Sequence, residues 1–147
     1  MNNLSNENNY SKRLLFFGAL LFLIGLAIGL LIPIMKNPRM GLSAHLEGAM
    51  NGMFLMILGV IWNKLVLSNK WQKTAYWLFV YGSFANFTAV TIAAVTGAGK
   101  MMPIAGGKEG NPMVDGFISF LLLSLSLAMI VSCSIIVSGI YRYMKNN

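Results

Sequence analysis

Long runs of apolar residues alternate with short polar segments along the whole chain. The runs cover residues 14–35, 44–67, 75–95 and 117–140, and each has about the 20 residues that a helix needs to cross a bilayer. Lipid offers no partners to backbone polar groups, so such runs cross it as helices. The pattern therefore predicts an all-α membrane protein with four transmembrane helices in an antiparallel bundle, forming a single domain over residues 14–147.

Polar segments flank and separate these runs. Residues 1–13 are polar and rich in asparagine, and they predict a disordered cytoplasmic tail. The segment 96–112 contains five glycines and two prolines, so it is expected to form the longest loop.

Composition supports the membrane assignment, because 56% of the residues are hydrophobic and only 10% are charged. The net charge of +7 does not predict a nucleic-acid partner, since the basic residues flank the apolar runs and serve as topology signals. Seven of them fall on the side of the two termini: Lys12, Arg13, Lys64, Lys70, Lys73, Arg142 and Lys145. The other side holds the remaining four, so the charge bias predicts that both termini are cytoplasmic, the N-in/C-in orientation. The expected location is the bacterial cytoplasmic (inner) membrane.

Ionisable residues inside a span are costly and are candidates for function. His45 begins the second run, and on a helix it shares one face with Gly48 and Gly52, while Asn51 lies about 120° away. The glycine spacing is typical of close helix packing. It also suits a flat macrocycle, for which one histidine is a sufficient protein ligand. Spacing alone leaves both interpretations open.

Other polar residues lie in the second and third runs. Asn86 is expected at the membrane depth of Asn51, where it completes a pocket or forms an interhelical hydrogen bond. Glu47 points away from His45 on a helix, so we expect it to pair with Arg39 or a loop lysine.

Three strings of residues resemble the styrene oxide isomerase family of four-helix membrane enzymes. The second run carries the most specific of them, at Ala44, His45, Gly48, Asn51, Gly52 and Met53. The others start the third and fourth runs, at Lys73, Thr74 and Ala75 and at residues 115–120. The resemblance covers most of the chain from the second run onward.

This resemblance implies a haem b with ferric iron, bound by His45 in a homo-oligomer that is a trimer in the family. Gly48, Gly52 and Met53 then lie at the cofactor, and Asn51 matches the family's asparagine beside the iron. The implied substrate is an apolar aryl epoxide such as styrene oxide, dissolved in membrane lipid. The iron acts as a Lewis acid on the epoxide oxygen, and a 1,2-hydride shift gives the aldehyde.

The third run departs from the family pattern, which has an aspartate before a glycine and a tyrosine about two turns later. Here Tyr81 precedes Gly82, and no tyrosine follows at the later position. Either Tyr81 supplies a phenol from a different level of the helix, or the pocket serves another substrate. With Asn51 and Asn86, Tyr81 completes the set of catalytic candidates. The departure motivates an alternative function, a haem-binding membrane sensor or electron-transfer protein. A third possibility is a structural subunit in which His45 and the glycines only pack helices.

Overall fold

The structure is a computed structural model that describes the backbone of residues 2–146 and the side chains of residues 9–146. Its long helices are α1 (Asn2–Leu31), α2 (Pro38–Ile61), α3 (Asn69–Thr96) and α4 (Pro112–Asn146). Each contains a segment long and apolar enough to cross a membrane. The predicted class, an all-α protein with four transmembrane helices, is confirmed, while the N-in/C-in orientation stays a prediction.

Helices α2 and α4 begin earlier than the apolar runs, at Pro38 and Pro112 instead of residues 44 and 117. The Asn37 side-chain oxygen accepts a hydrogen bond of 3.2 Å from the backbone N–H three residues later. The Asn111 oxygen does the same at 2.9 Å, two residues later. Asparagine as a cap and proline as the first helical residue are common at helix starts. Hydropathy therefore locates the membrane-spanning part of these helices but not their first residues.

The first helix also begins before its apolar run. Residues 9–13 belong to α1, and the buried Ser11 hydroxyl donates a hydrogen bond of 2.7 Å to the backbone carbonyl of Gly59 in α2. The prediction of a disordered tail over residues 1–13 is therefore wrong for residues 9–13, because this contact with α2 orders them. Residues 1–8 lie outside the side chains that the structure describes.

Replacing Ser11 by alanine tests this contact. Loss of a buried hydrogen bond between membrane helices is expected to lower the free energy of unfolding by about 0.6–1.5 kcal/mol. Denaturant titration in detergent micelles measures the change. Ser126→Ala is the matched control, since that exposed hydroxyl bonds only within its own helix. Equal stabilities of the two variants would contradict an ordered α1 start.

The helices pack in chain order, α1 on α2, α2 on α3 and α3 on α4. The largest fully buried side chains include Trp62, Tyr76 and Phe79, which fill the core near the α2–α3 connection. The opposite end is closed by residues 97–111, which connect α3 to α4. Asn37 donates hydrogen bonds to the carbonyls of Ala105 and Gly106, at 3.2 and 3.0 Å. This connection is thereby tied to the start of α2, the helix that carries His45.

Candidate active site

His45 is a half-buried residue on the side of α2 that contacts α1. Its Nδ1 lies 2.9 Å from the carbonyl oxygen of Gly25. Since a carbonyl only accepts, Nδ1 carries the hydrogen and donates it, which leaves the lone pair of the ring on Nε2. Gly29 gives the ring its space, because a Cβ there would lie 2.7 Å from Nδ1. This is the arrangement in which histidine commonly binds a metal, with the second nitrogen held by a backbone carbonyl.

The glycines of α2 face the backbone of α1. A Cβ built on Gly48 would lie 2.5 Å from the Cα of Gly25, and one on Gly52 would lie 2.6 Å from the backbone nitrogen of Phe22. Such approach of two helix backbones is the usual role of small residues in membrane helices. Within one chain α1 covers this face, and the expectation that Gly48 and Gly52 bind the cofactor stays a prediction.

Glu47 joins α2 to α3 through two asparagines. Its Oε2 accepts a hydrogen bond from Nδ2 of Asn51 at 2.9 Å and another from Nδ2 of Asn86 at 2.5 Å. The expected pairing of Glu47 with Arg39 or a loop lysine is wrong, because the carboxylate turns toward α3. Sequence reasoning placed both asparagines at one depth but missed the residue that joins them. The spacing of four residues between Glu47 and Asn51, which brings helical side chains together, was the available signal.

Within one chain, His45 and Asn51 lie on opposite flanks of α2, one toward α1 and the other toward α3. The outward face between them is apolar and is formed by Leu46, Met50 and Met53, which are 47%, 61% and 45% exposed. Met53, a predicted cofactor contact, thus lies on a surface that the chain leaves open. This exposed apolar face lies beside His45, on the side of α2 away from α1.

Tyr81 lies on another side of α3, about 140° around the helix from Asn86. Its hydroxyl is 2.5 Å from the Ser124 hydroxyl of α4. It lines a groove of about 370 Å³ between α3 and α4 whose walls include Trp77 and Phe117. The structure therefore does not bring Tyr81 together with Asn51 and Asn86 in one chain.

The side chains available as metal ligands limit the kind of metal centre that one chain can form. Among the residues described, no group of three or more histidine, cysteine, aspartate or glutamate side chains could hold a metal ion. A haem iron needs only one such ligand, because the porphyrin supplies four nitrogens. His45, whose Nδ1 is held by the Gly25 carbonyl and which has an exposed apolar face beside it, fits this requirement.

These features define a small helical membrane protein with a histidine whose Nδ1 is hydrogen-bonded to a backbone carbonyl and a carboxylate–amide cluster between two helices. The sequence model of the styrene oxide isomerase family matches residues 10–141. The chain belongs to the styrene oxide isomerase family.

Two relatives come from Ectopseudomonas oleovorans. Hydroxylaminobenzene mutase HabB is 48% identical over 92% of this chain and 84% of its own length. Hydroxylaminobenzene mutase HabA is 46% identical over 85% of this chain and 94% of its own length. No solved structure matches the chain. Since the family and both relatives are isomerases, the prediction of an intramolecular isomerase is confirmed.

Proposed function

We propose that this protein is a membrane-embedded mutase that converts hydroxylaminoarenes into aminophenols, with a haem b held by His45. The observation that carries the substrate class is the identity of 48% and 46% with two hydroxylaminobenzene mutases over most of the chain. The sequence alone had favoured aryl epoxides, and the relatives move the proposal to another aryl substrate of the same small, apolar type.

The reaction is a balanced isomerisation. The N–O bond of hydroxylaminobenzene breaks with its electron pair on oxygen, and a C–O bond forms at the ring. The ring carbon then loses its proton and the nitrogen gains one, which turns NH into NH2, so the aminophenol has the same atoms as the substrate. No oxidant or reductant is needed. Epoxide isomerisation starts in the same way, by polarising an oxygen whose departure leaves positive charge that an aromatic ring can share.

The chain's own residues have distinct tasks in this proposal. A bound haem would supply a Lewis-acidic iron for the substrate oxygen. His45 would hold it through Nε2, because the Nδ1–H donated to the Gly25 carbonyl fixes the ring and makes Nε2 a stronger donor to metal. Because His45 and Asn51 lie on opposite flanks of α2, the proposed pocket lies between subunits of a homo-oligomer. There Asn51 and Asn86 of one subunit, joined by Glu47, orient polar groups of the substrate at the haem of its neighbour. The apolar helices keep bulk water away from the charge that develops on the ring.

Aryl epoxide isomerisation is the second candidate function, and the family description favours it. The two substrates differ in hydrogen-bonding character. An epoxide oxygen only accepts, whereas a hydroxylamino group also donates through N–H and O–H. A site that hydrogen-bonds such donors rejects an analogue that lacks them.

The test uses purified protein in lipid nanodiscs with hydroxylaminobenzene or styrene oxide. We expect an aminophenol from the first, with kcat/KM at least about 100-fold above that for conversion of styrene oxide to phenylacetaldehyde. In water labelled with heavy oxygen, the aminophenol should keep the substrate's own oxygen atom. Faster turnover of styrene oxide would establish the second function instead. Binding of both compounds without product from either would contradict both enzymatic proposals.

A further inference from the structure

Glu47 is an unusual residue because its carboxylate lies between membrane helices. Among the acidic side chains that the structure describes, Glu109 lies in the α3–α4 connection, and Asp115 in the first turn of α4 binds the Gly110 backbone N–H of that connection. Glu47 lies nearly three turns inside α2 and accepts from two amides of different helices. A carboxylate in such a place is costly, and in membrane proteins it usually serves a function.

The carboxylate fixes the direction of both asparagine amides. A carboxyl oxygen that carries no hydrogen can only accept, and Oε2 of Glu47 accepts from Nδ2 of both asparagines. Each amide must therefore turn its nitrogen toward Glu47, which turns the side-chain oxygen away. Among the residues described, neither Oδ1 of Asn51 nor Oδ1 of Asn86 has a hydrogen-bond partner. The cluster thus presents two amide oxygens as acceptors.

We propose that Glu47 is a positioning residue that holds Asn51 and Asn86 as a pair of acceptors for the N–H and O–H groups of a hydroxylaminoarene. The substrate named here rests on the proposed function, whereas the direction of the amides rests on the hydrogen bonds alone. Paired acceptors suit a group with two donors and disfavour an epoxide, whose oxygen has no hydrogen to give. The cluster therefore selects between the two substrate types of the family.

The experiment compares Glu47→Leu with Glu47→Gln. Leucine cannot accept, so both amides become free to turn, and kcat/KM for hydroxylaminobenzene should fall by about 10- to 100-fold. Glutamine keeps one oxygen that accepts from both amides, and it should retain activity within about fivefold of the original protein. Ser126→Ala, in which an exposed hydroxyl of α4 is lost, is the control.

A second measurement does not depend on turnover. N-Methylaniline carries one N–H donor, and N,N-dimethylaniline has none. The original protein should bind the first more tightly by about tenfold in calorimetry, and Glu47→Leu should bring the ratio of the two affinities close to one. If Glu47→Leu does not fold, Asn86→Ala removes one of the two acceptors and should lower the same ratio by at least about threefold.

The outcomes separate the two proposals. A structural link between α2 and α3 would make Glu47→Leu less stable but leave the affinity ratio unchanged, and that result would overturn the positioning role. Loss of activity in Glu47→Gln equal to that in Glu47→Leu would also overturn it, because the charge itself would then be essential. If the original protein does not convert hydroxylaminobenzene but shows the affinity ratio, the proposed function fails and the acceptor pair stands.

Discussion

Replacing His45 by alanine is expected to abolish haem binding and to lower mutase activity by more than about 100-fold. In the proposed haem site, the iron ligand is Nε2 of the His45 ring. The Nδ1–H of the same ring is hydrogen-bonded to the Gly25 carbonyl. No second histidine exists in the chain to replace it. Absorption spectra of protein purified from haem-replete cells measure the first effect, and product formation from hydroxylaminobenzene measures the second.

Imidazole provides a chemical rescue for this variant. Removal of the side chain leaves a space beside Gly29, whose missing Cβ gives the ring its room. Added imidazole should enter that space and restore part of the haem spectrum. Cys133→Ala is a suitable control, because Cys133 is exposed on α4. A colourless original protein, or a His45→Ala variant with an unchanged haem spectrum, would contradict the proposed ligand.

The membrane fold could be predicted because the hydropathy of a segment indicates whether lipid or water surrounds it. Four apolar runs of bilayer length admit few arrangements other than four spanning helices. The helix ends were harder to predict, since Asn37 and Asn111 act through local capping bonds that hydropathy does not measure. Ser11 was assigned to a disordered tail because its partner, Gly59, is 48 residues away in the sequence.

The candidate site was predicted in its parts but not in its arrangement. Helical periodicity states which residues share a face, but it does not state which helix covers that face. Gly48 and Gly52 were therefore open to two interpretations, and the structure adds their close approach to the α1 backbone, which the sequence does not specify. Glu47 was misplaced for the same reason, because its partner Asn86 lies on a helix whose rotation the sequence does not specify.

Replacing Gly48 by alanine is expected to lower the free energy of unfolding by about 3 kcal/mol, even in protein that contains no haem. The added Cβ would lie 2.5 Å from the Cα of Gly25 and 3.1 Å from a ring carbon of Phe87. A flexible side chain can move away from such a contact, but the backbone of α1 cannot do so without separating from α2. Denaturant titration of the haem-free protein in micelles measures the loss.

Gly116→Ala is the matched control for this variant. It makes the same substitution inside a helix, α4, and its added Cβ would have no atom within 4 Å. The higher helix propensity of alanine should leave the control unchanged or raise its stability by up to about 1 kcal/mol. The difference between the two variants then isolates the α1 contact. If Gly48→Ala keeps full stability without haem but binds haem more weakly, the glycine face contacts the porphyrin and not α1. Lower stability of the haem-free protein would instead establish that Gly48 is needed for the close approach of α1 and α2.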